Sequence, residues 1–254
     1  MKANHHDADA LVIIPTYNEK ENIALLIRAI LSLLGNFHIL VVDDSSPDGT
    51  SRIVAELQTV HQDRLYLINR KEKCGLGTAY LDGFKFALKQ NYQYILTIDA
   101  DFSHVPDDLV GLYSICKQEG YDLAVGSRYI NGINVVNWPI SRILLSYAAN
   151  FFARCITGLP VMDTTAGFHC YKRVVLETIN LDAVQSMGYG FQVEMKFLAW
   201  KYGFTIRELP IVFTNRVRGH SKMSQTIIIE AFFSIIRMKV SSFFKKFHRS
   251  TSTS

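Results

Sequence analysis

Five short apolar runs, separated by segments of helical pattern, limit what this chain can fold into more than any other feature. The runs are Leu11–Pro15, His38–Val42, Leu65–Asn69, Tyr94–Ile98 and Asp122–Ser127, and the helical patterns cover Glu19–Leu34, Thr50–His61, Gly77–Gln90 and Pro106–Gln118. A strand that is apolar along its whole length must be covered on both faces, so the alternation predicts a mostly parallel sheet between helical layers. Ligands of such sheets bind beyond the C-terminal ends of the strands. The polar residues gather there: "PTYNE" after the first run, "DDSSPDGT" after the second, "DADFSH" after the fourth and "GSRY" after the fifth.

A chain of 254 residues, 48% hydrophobic, is long enough for one large α/β domain with a modest extension. Its net charge of +4 is too small to argue for a nucleic-acid partner. The cysteines Cys74, Cys116, Cys155 and Cys170 show no metal spacing and no disulfide framework, which suits a reducing, cytosolic compartment. The opening "MKANHHDADA" lacks the pattern of a signal peptide, and no run of about 18 uncharged apolar residues predicts a membrane span.

The second half is less regular. Ile140–Ile156 and Thr226–Phe247 are amphipathic, a helical stretch covers Phe191–Tyr202, and "TIRELPIVF" reads as a strand before the basic "NRVRGHSK". After Glu230 no acid remains, while Arg237, Lys239, Lys245, Lys246 and Arg249 follow, so the last helix is expected either at a membrane interface or on the protein's own core. The expected division is a flexible stretch over 1–9, a catalytic domain over 10–222 and this basic segment over 223–254.

In an extended strand, side chains two apart share a face, so Asp99 and Asp101 should converge. Two converging carboxylates repel, and a divalent cation removes that repulsion while leaving room for phosphate oxygens and water. Arg128, Arg216, Arg218 and Lys222 supply cations for phosphates. Asp43 or Asp44 offers a carboxylate to a base or sugar edge, and Asp48 and Gly49 are turn formers. Gly75 and Gly77 permit a strand-to-helix turn, with no phosphate-cradling P-loop. Gln192 and Glu194 share a face only if their segment is extended, and His104 is a loop residue beside the acids.

This ordered set, "VIIPTYNEKENI", "VVDDSSPDGT", "KCGLGTAY", "DADFSH", "GSRY", "DTTAGF", "GYGFQVEM" and "NRVRGHSK", resembles the family 2 glycosyltransferases of the GT-A fold. Within them it is most similar to the dolichol-phosphate (polyprenol-phosphate) mannose synthases. The resemblance implies inverting transfer of mannose from GDP-mannose to the phosphate of a polyprenol, assisted by Mg2+ or Mn2+. Pro15, Tyr17, Glu19, Val42 and Asp44 would hold the nucleoside, and Asp99, Ala100 and Asp101 the diphosphate and metal, with Asp99, Asp101 and Arg128 the catalytic set. Arg128, Arg216 and Lys222 would meet phosphates, and Arg142 and Arg218 the acceptor phosphate. Ser103 stands where some relatives carry a glutamine, so it would join the metal only through its hydroxyl or a water. The resemblance further implies peripheral contact with the cytosolic face of a membrane, with small membrane-embedded subunits as partners in some relatives. Other readings of the same residues are a UDP-glucose-dependent polyprenyl-phosphate glucosyltransferase, a non-catalytic membrane-surface scaffold, and a hydroxyl-directed transferase. The last is disfavoured because "FQVEMKFLAW" lacks an Arg-Trp pair.

Overall fold

The computed structural model describes residues 8–186, 188–215, 225–245 and 247. In chain order its elements are β1 (Ala10–Thr16), α1 (Ile23–Leu31), β2 (His38–Asp43), α2 (Thr50–Val60), β3 (Leu65–Asn69), α3 (Leu76–Lys89), β4 (Tyr94–Thr97), α4 (Asp108–Lys117), β5 (Leu123–Ser127) and β6 (Val135–Val136). There follow α5 (Ile140–Thr157), β7 (His169–Lys172), α6 (Arg173–Thr178), α7 (Gly188–Lys201), β8 (Ile206–Pro210), β9 (Phe213–Thr214) and α8 (Gln225–Phe244).

Seven strands form one sheet in the order β3-β2-β1-β4-β7-β5-β8, and β6 pairs with β9 in a small second sheet. β7 is antiparallel to both of its neighbours, and the other pairs of the large sheet are parallel. The five apolar runs are the strands β1 to β5, and every residue of β1, β2 and β5 is buried. The predicted "TIRELPIVF" strand divides in two at Ile211 and Val212, β8 joining the large sheet and β9 the small one.

One core layer fills the face under α3 and α7, with Ile13, Tyr80, Phe84, Tyr171 and Phe191 among its members. The other, under α1 and α4, includes Val12, Ile27, Leu112 and Phe168. The α3 layer sits so close to β1 that a Cβ on Gly83 would lie 2.7 Å from Ile13 Cγ2. Gly83→Ala is therefore expected to destabilise the fold by about 1–3 kcal/mol, measured as a lower urea midpoint. An unchanged midpoint would show that this helix can retreat without loss.

The C-terminal helix packs on the protein's own core through one side and leaves apolar side chains exposed on another. Ile235 and Met238 pack with Ala153 of α5 and with Val193 and Phe197 of α7. Phe233, Val240, Phe243 and Phe244 remain exposed, as do Ile140, Leu144 and Phe151 of α5. Among the described residues no helix is long and apolar enough to cross a membrane.

Candidate active site

The loops after β1 and β2 are laced together by short polar side chains. Asp43, fully buried, accepts from Thr16 Oγ1 at 2.7 Å and from the Ser46 hydroxyl at 2.6 Å. The amides of Asn18, Glu19 and Lys20 donate to Ser46 Oγ, Thr50 Oγ1 and Asp48 Oδ2 at 2.9, 2.9 and 3.1 Å. Asp48 also accepts from the Thr50 amide, so it braces the turn that leads into α2, in keeping with a turn-forming role. Pro15 and Val42 are partners in the β1–β2 register and both are buried. Tyr17 and Glu19 stand half-buried at the rim, with Lys73 Nζ 3.9 Å from the Tyr17 ring centroid.

Asp44 has an elaborate set of protein partners. Its carboxylate accepts from Arg70 Nη1 at 2.9 Å, the Cys74 amide at 3.0 Å and the Gly75 amide at 2.9 Å. It thereby ties the loop before α3 to the end of β2. Gly75 makes that turn with φ of 96°, a conformation few side chains tolerate.

The two acids of "DAD" do not lie on an extended strand. β4 ends at Thr97, and the chain turns through Asp99 and Asp101, with Phe102 in the left-handed region at φ 58°. That rare conformation for an aromatic residue lets the Ser103 amide donate back to Asp101 Oδ1 at 3.0 Å. The carboxylates are gathered by this turn around Tyr80. Its hydroxyl donates to Asp99 Oδ1 at 3.2 Å, and burial, then the charge of Asp99 and more weakly that of Asp101, keep it protonated. Asp101 and Ser103 are buried, whereas the Asp99 side chain is 38% exposed. His104 lies inside, its ring 4.7 Å from Phe168 and its Nε2 3.8 Å from Asp99 Oδ2. Burial pushes its pKa down to about 4, so at neutral pH this is a contact of a neutral ring and not an ion pair.

Among the described residues no cluster of three or more His, Cys, Asp or Glu is placed to hold a metal. Two aspartates at an open rim nevertheless fit the way Mg2+ or Mn2+ is held beside phosphates. Such ions take one or two protein carboxylates and complete their shell with phosphate oxygens and water.

Arg128, at the end of β5, is buried and forked onto Asp163. Nε and Nη2 donate to the two carboxylate oxygens at 2.7 Å each, the Arg128 amide adds a third bond at 3.0 Å, and Nη2 also reaches Thr165 Oγ1 at 2.9 Å. The guanidinium expected to meet phosphate thus grips a protein carboxylate. Burial alone would raise the Asp163 pKa, but the charge and hydrogen bonds of Arg128 hold it below the usual carboxylate range. Trp138 lies between this pair and Arg142, its ring 5.6 Å from the Arg128 guanidinium and 4.0 Å from that of Arg142. Arg142 Nη1 donates to Asn215 Oδ1 at 2.9 Å. Arg216, Arg218 and Lys222 lie outside the described residues.

Between "DAD" and Arg128 runs the segment 162–167, held by side chains at every residue. Glu208 accepts from the amides of Met162 and Asp163, at 2.8 and 3.0 Å. Asn150 Oδ1 accepts from Thr164 Oγ1 at 2.8 Å and from the Thr165 amide at 3.1 Å. Lys196 Nζ donates to the Ala166 carbonyl, and Thr97 Oγ1 to the Gly167 carbonyl, each at 2.8 Å. Asn150, Lys196 and Glu208 lie outside the ordered set of motifs in the sequence, and of this cluster only Asp163 stood in one, "DTTAGF". The antiparallel β7 places it at the rim, because β7 starts where its neighbours β4 and β5 end.

The sheet has the architecture of the GT-A fold, and the chain belongs to glycosyl transferase family 2, whose model matches residues 11–179. It is 46% identical over 225 residues to the polyprenol monophosphomannose synthase of Mycolicibacterium smegmatis, covering 89% of this chain and 84% of that one. It is 40% identical over 227 residues to the undecaprenyl-phosphate mannosyltransferase of Micrococcus luteus, covering 89% and 92%. Among solved structures, glucosyl-3-phosphoglycerate synthase from Mycobacterium tuberculosis in complex with UDP superposes with a TM-score of 0.63 at 18% identity, over 92% of this chain and 80% of that one. The same enzyme with Mn2+, UDP-glucose and phosphoglyceric acid gives 0.62 at 17% identity, over 92% and 79%. At that identity the likeness speaks for the fold.

Proposed function

We propose that this chain transfers mannose from GDP-mannose to the phosphate of a polyprenol, inverting the anomeric carbon to give a polyprenyl β-mannosyl phosphate and GDP. The observation that carries this reading is the 46% identity, across 89% of the chain, to a polyprenol monophosphomannose synthase. The rim after β1, β2 and β4 receives the nucleotide sugar, with Pro15, Tyr17, Glu19, Val42 and Asp44 around the nucleoside. Asp99 and Asp101, with Ala100 between them, hold Mg2+ or Mn2+ against the diphosphate, and Ser103 serves by fixing Asp101 through its amide. When bound, the cation offsets the charge that grows on the departing nucleotide.

A phosphate monoester is already anionic at neutral pH, so the acceptor needs no general base, unlike a sugar hydroxyl. The demand falls on cations that place it. In this reading Arg142 meets the acceptor phosphate, joined by Arg218, while Arg216 and Lys222 meet donor phosphates. Arg128 acts through the wall that it clasps with Asp163. The exposed phenylalanines of α8 and the apolar face of α5 rest on the membrane surface, where a polyprenyl phosphate presents its head group.

The test is a transfer assay on vesicles containing a polyprenyl phosphate, with Mg2+ or Mn2+ and with labelled GDP-mannose and UDP-glucose in parallel. Lipid-linked mannose formed from GDP-mannose, by protein that pellets with the vesicles, is the expected result. Transfer from UDP-glucose alone would move the chain to the glucosyl reading. Transfer from neither donor by folded protein would end the assignment.

A further inference from the structure

Lys196 stands in α7 and is fully buried. Burial pushes its ammonium down to about 7, against the attraction of Asp163 and Glu208. An apolar side chain of similar length would fill the same space without the cost of burying an ammonium, so the role of Lys196 lies in what its Nζ holds. It donates to the Ala166 carbonyl at 2.8 Å and to His169 Nε2 at 2.9 Å. His169 is buried too, and burial followed by the charge of Lys196 drives its pKa well below the ordinary value, so the ring is neutral. A neutral ring that accepts at Nε2 carries its proton on Nδ1, which lies 3.2 Å from Thr97 Oγ1. Thr97 in turn gives its own proton to the Gly167 carbonyl at 2.8 Å. One ammonium thus fixes two successive carbonyls, that of Ala166 directly and that of Gly167 through His169 and Thr97.

Gly167 is where this chain of hydrogen bonds meets the acids of the site. A Cβ there would lie 3.3 Å from Gln192 Nε2 and 3.9 Å from Asp99 Oδ1, so the bare backbone is packed between α7 and that carboxylate. The same oxygen of Asp99 accepts from the Tyr80 hydroxyl at 3.2 Å. The Tyr80 ring is parallel to that of Phe191 in α7, with 5.8 Å between centroids and 3° between planes. α7 therefore backs Asp99 Oδ1 along two routes, one through Phe191 and Tyr80 and one through Gln192, Lys196 and the backbone at 166–167. Groups that stand behind a metal ligand hold its orientation and set the affinity for the ion.

We propose that Lys196 is a positioning residue for Asp99 as a metal ligand, holding that carboxylate in place through the backbone at 166–167. This rests on the metal-assisted transferase reading above and deepens it by naming the group that fixes the carboxylate from behind.

The experiment measures binding of GDP, and of UDP in parallel, over a range of Mn2+ concentrations by titration calorimetry. Wild type, Lys196→Met and Thr97→Val are compared, each shown to be folded by its urea unfolding curve. In Lys196→Met the Mn2+ concentration for half-maximal nucleotide binding should rise at least about tenfold, with binding in the absence of metal unchanged. The direction separates positioning from charge. Removing a nearby positive charge would by itself tighten the hold on a cation, so a weaker hold reports a displaced carboxylate. Thr97→Val releases the Gly167 carbonyl without changing any charge, and it should shift the Mn2+ requirement the same way. An unchanged or lower Mn2+ requirement in folded Lys196→Met overturns the proposal. If the methionine variant does not fold, a wild-type Mn2+ requirement in Thr97→Val overturns it instead. Wild-type protein that binds both nucleotides without regard to Mn2+ would overturn the metal-assisted reading, and this proposal with it.

Discussion

Asp101→Asn is expected to reduce metal-dependent transfer roughly a hundredfold to a thousandfold while leaving the fold intact. The asparagine keeps the size of the side chain and an oxygen for the Ser103 amide, so the turn through Phe102 survives. What it removes is the negative charge, and with it the attraction for a divalent cation. Asp99→Asn should act in the same direction, since Tyr80 can still donate to the amide oxygen. The decisive measurement is a metal titration of the transfer rate, with a urea unfolding curve for each variant. A weakened metal dependence with an unchanged unfolding midpoint would support cation binding by the charge. A wild-type rate and metal response in Asp101→Asn would remove this residue from the metal-holding set.

Breaking the Arg128–Asp163 pair should produce the largest effect on stability. Both side chains are buried, so Asp163→Asn or Arg128→Met leaves the partner charge unpaired in the interior, at a cost of about 3–5 kcal/mol. The double variant Arg128→Met, Asp163→Leu should recover much of that loss, because it leaves no charge behind. The pH dependence has a definite sign. The folded-state pKa of Asp163 lies below the unfolded value, so this contribution is complete above about pH 3.9 and fades as the pH falls through the folded pKa. Asp163→Asn should lose that dependence in the acid range. Urea midpoints at neutral and acidic pH decide it, and single variants as stable as wild type would show that the pair carries no net stability.

The fold was legible where burial is two-sided. β1, β2 and β5 are buried throughout and mostly apolar because helices cover both faces, and the polar rim lies at the ends of these strands, as the sequence reading expected. β7 was not legible. Its four residues include His169 and Lys172, and a short strand that fills a gap between two others needs no apolar run of its own. Nor could the surroundings of Gln192 and Glu194 be read. α7 is packed between the α3 layer, through Phe191 and Met195, and α8, through Val193 and Phe197. A helix covered on so many sides shows no single apolar stripe, and its one buried lysine looks like a solvent-facing charge.

The site divides in the same way. Its acids stand at strand ends and were visible. Convergence was expected from strand geometry, but both acids lie beyond the end of β4, in the turn that continues through Phe102. The partners that fix the site come from far along the chain. Asp163 meets Arg128 across 35 residues, and Lys196 meets Ala166 across 30. No local spacing announces such pairs.

The position of β7 bears on how the molecule is made. During synthesis, β1 to β4 can assemble in order, but the edge of β4 must wait for residues 169–172, which arrive only after β5 and α5. Until then β5 has no path to the rest of the sheet, and an unpaired parallel edge is open to association with other chains. The strand that closes this edge also draws residues 162–167 to the rim. A molecule with a continuous sheet therefore has residues 162–167 in place at the rim, and a chain stalled before β7 has neither.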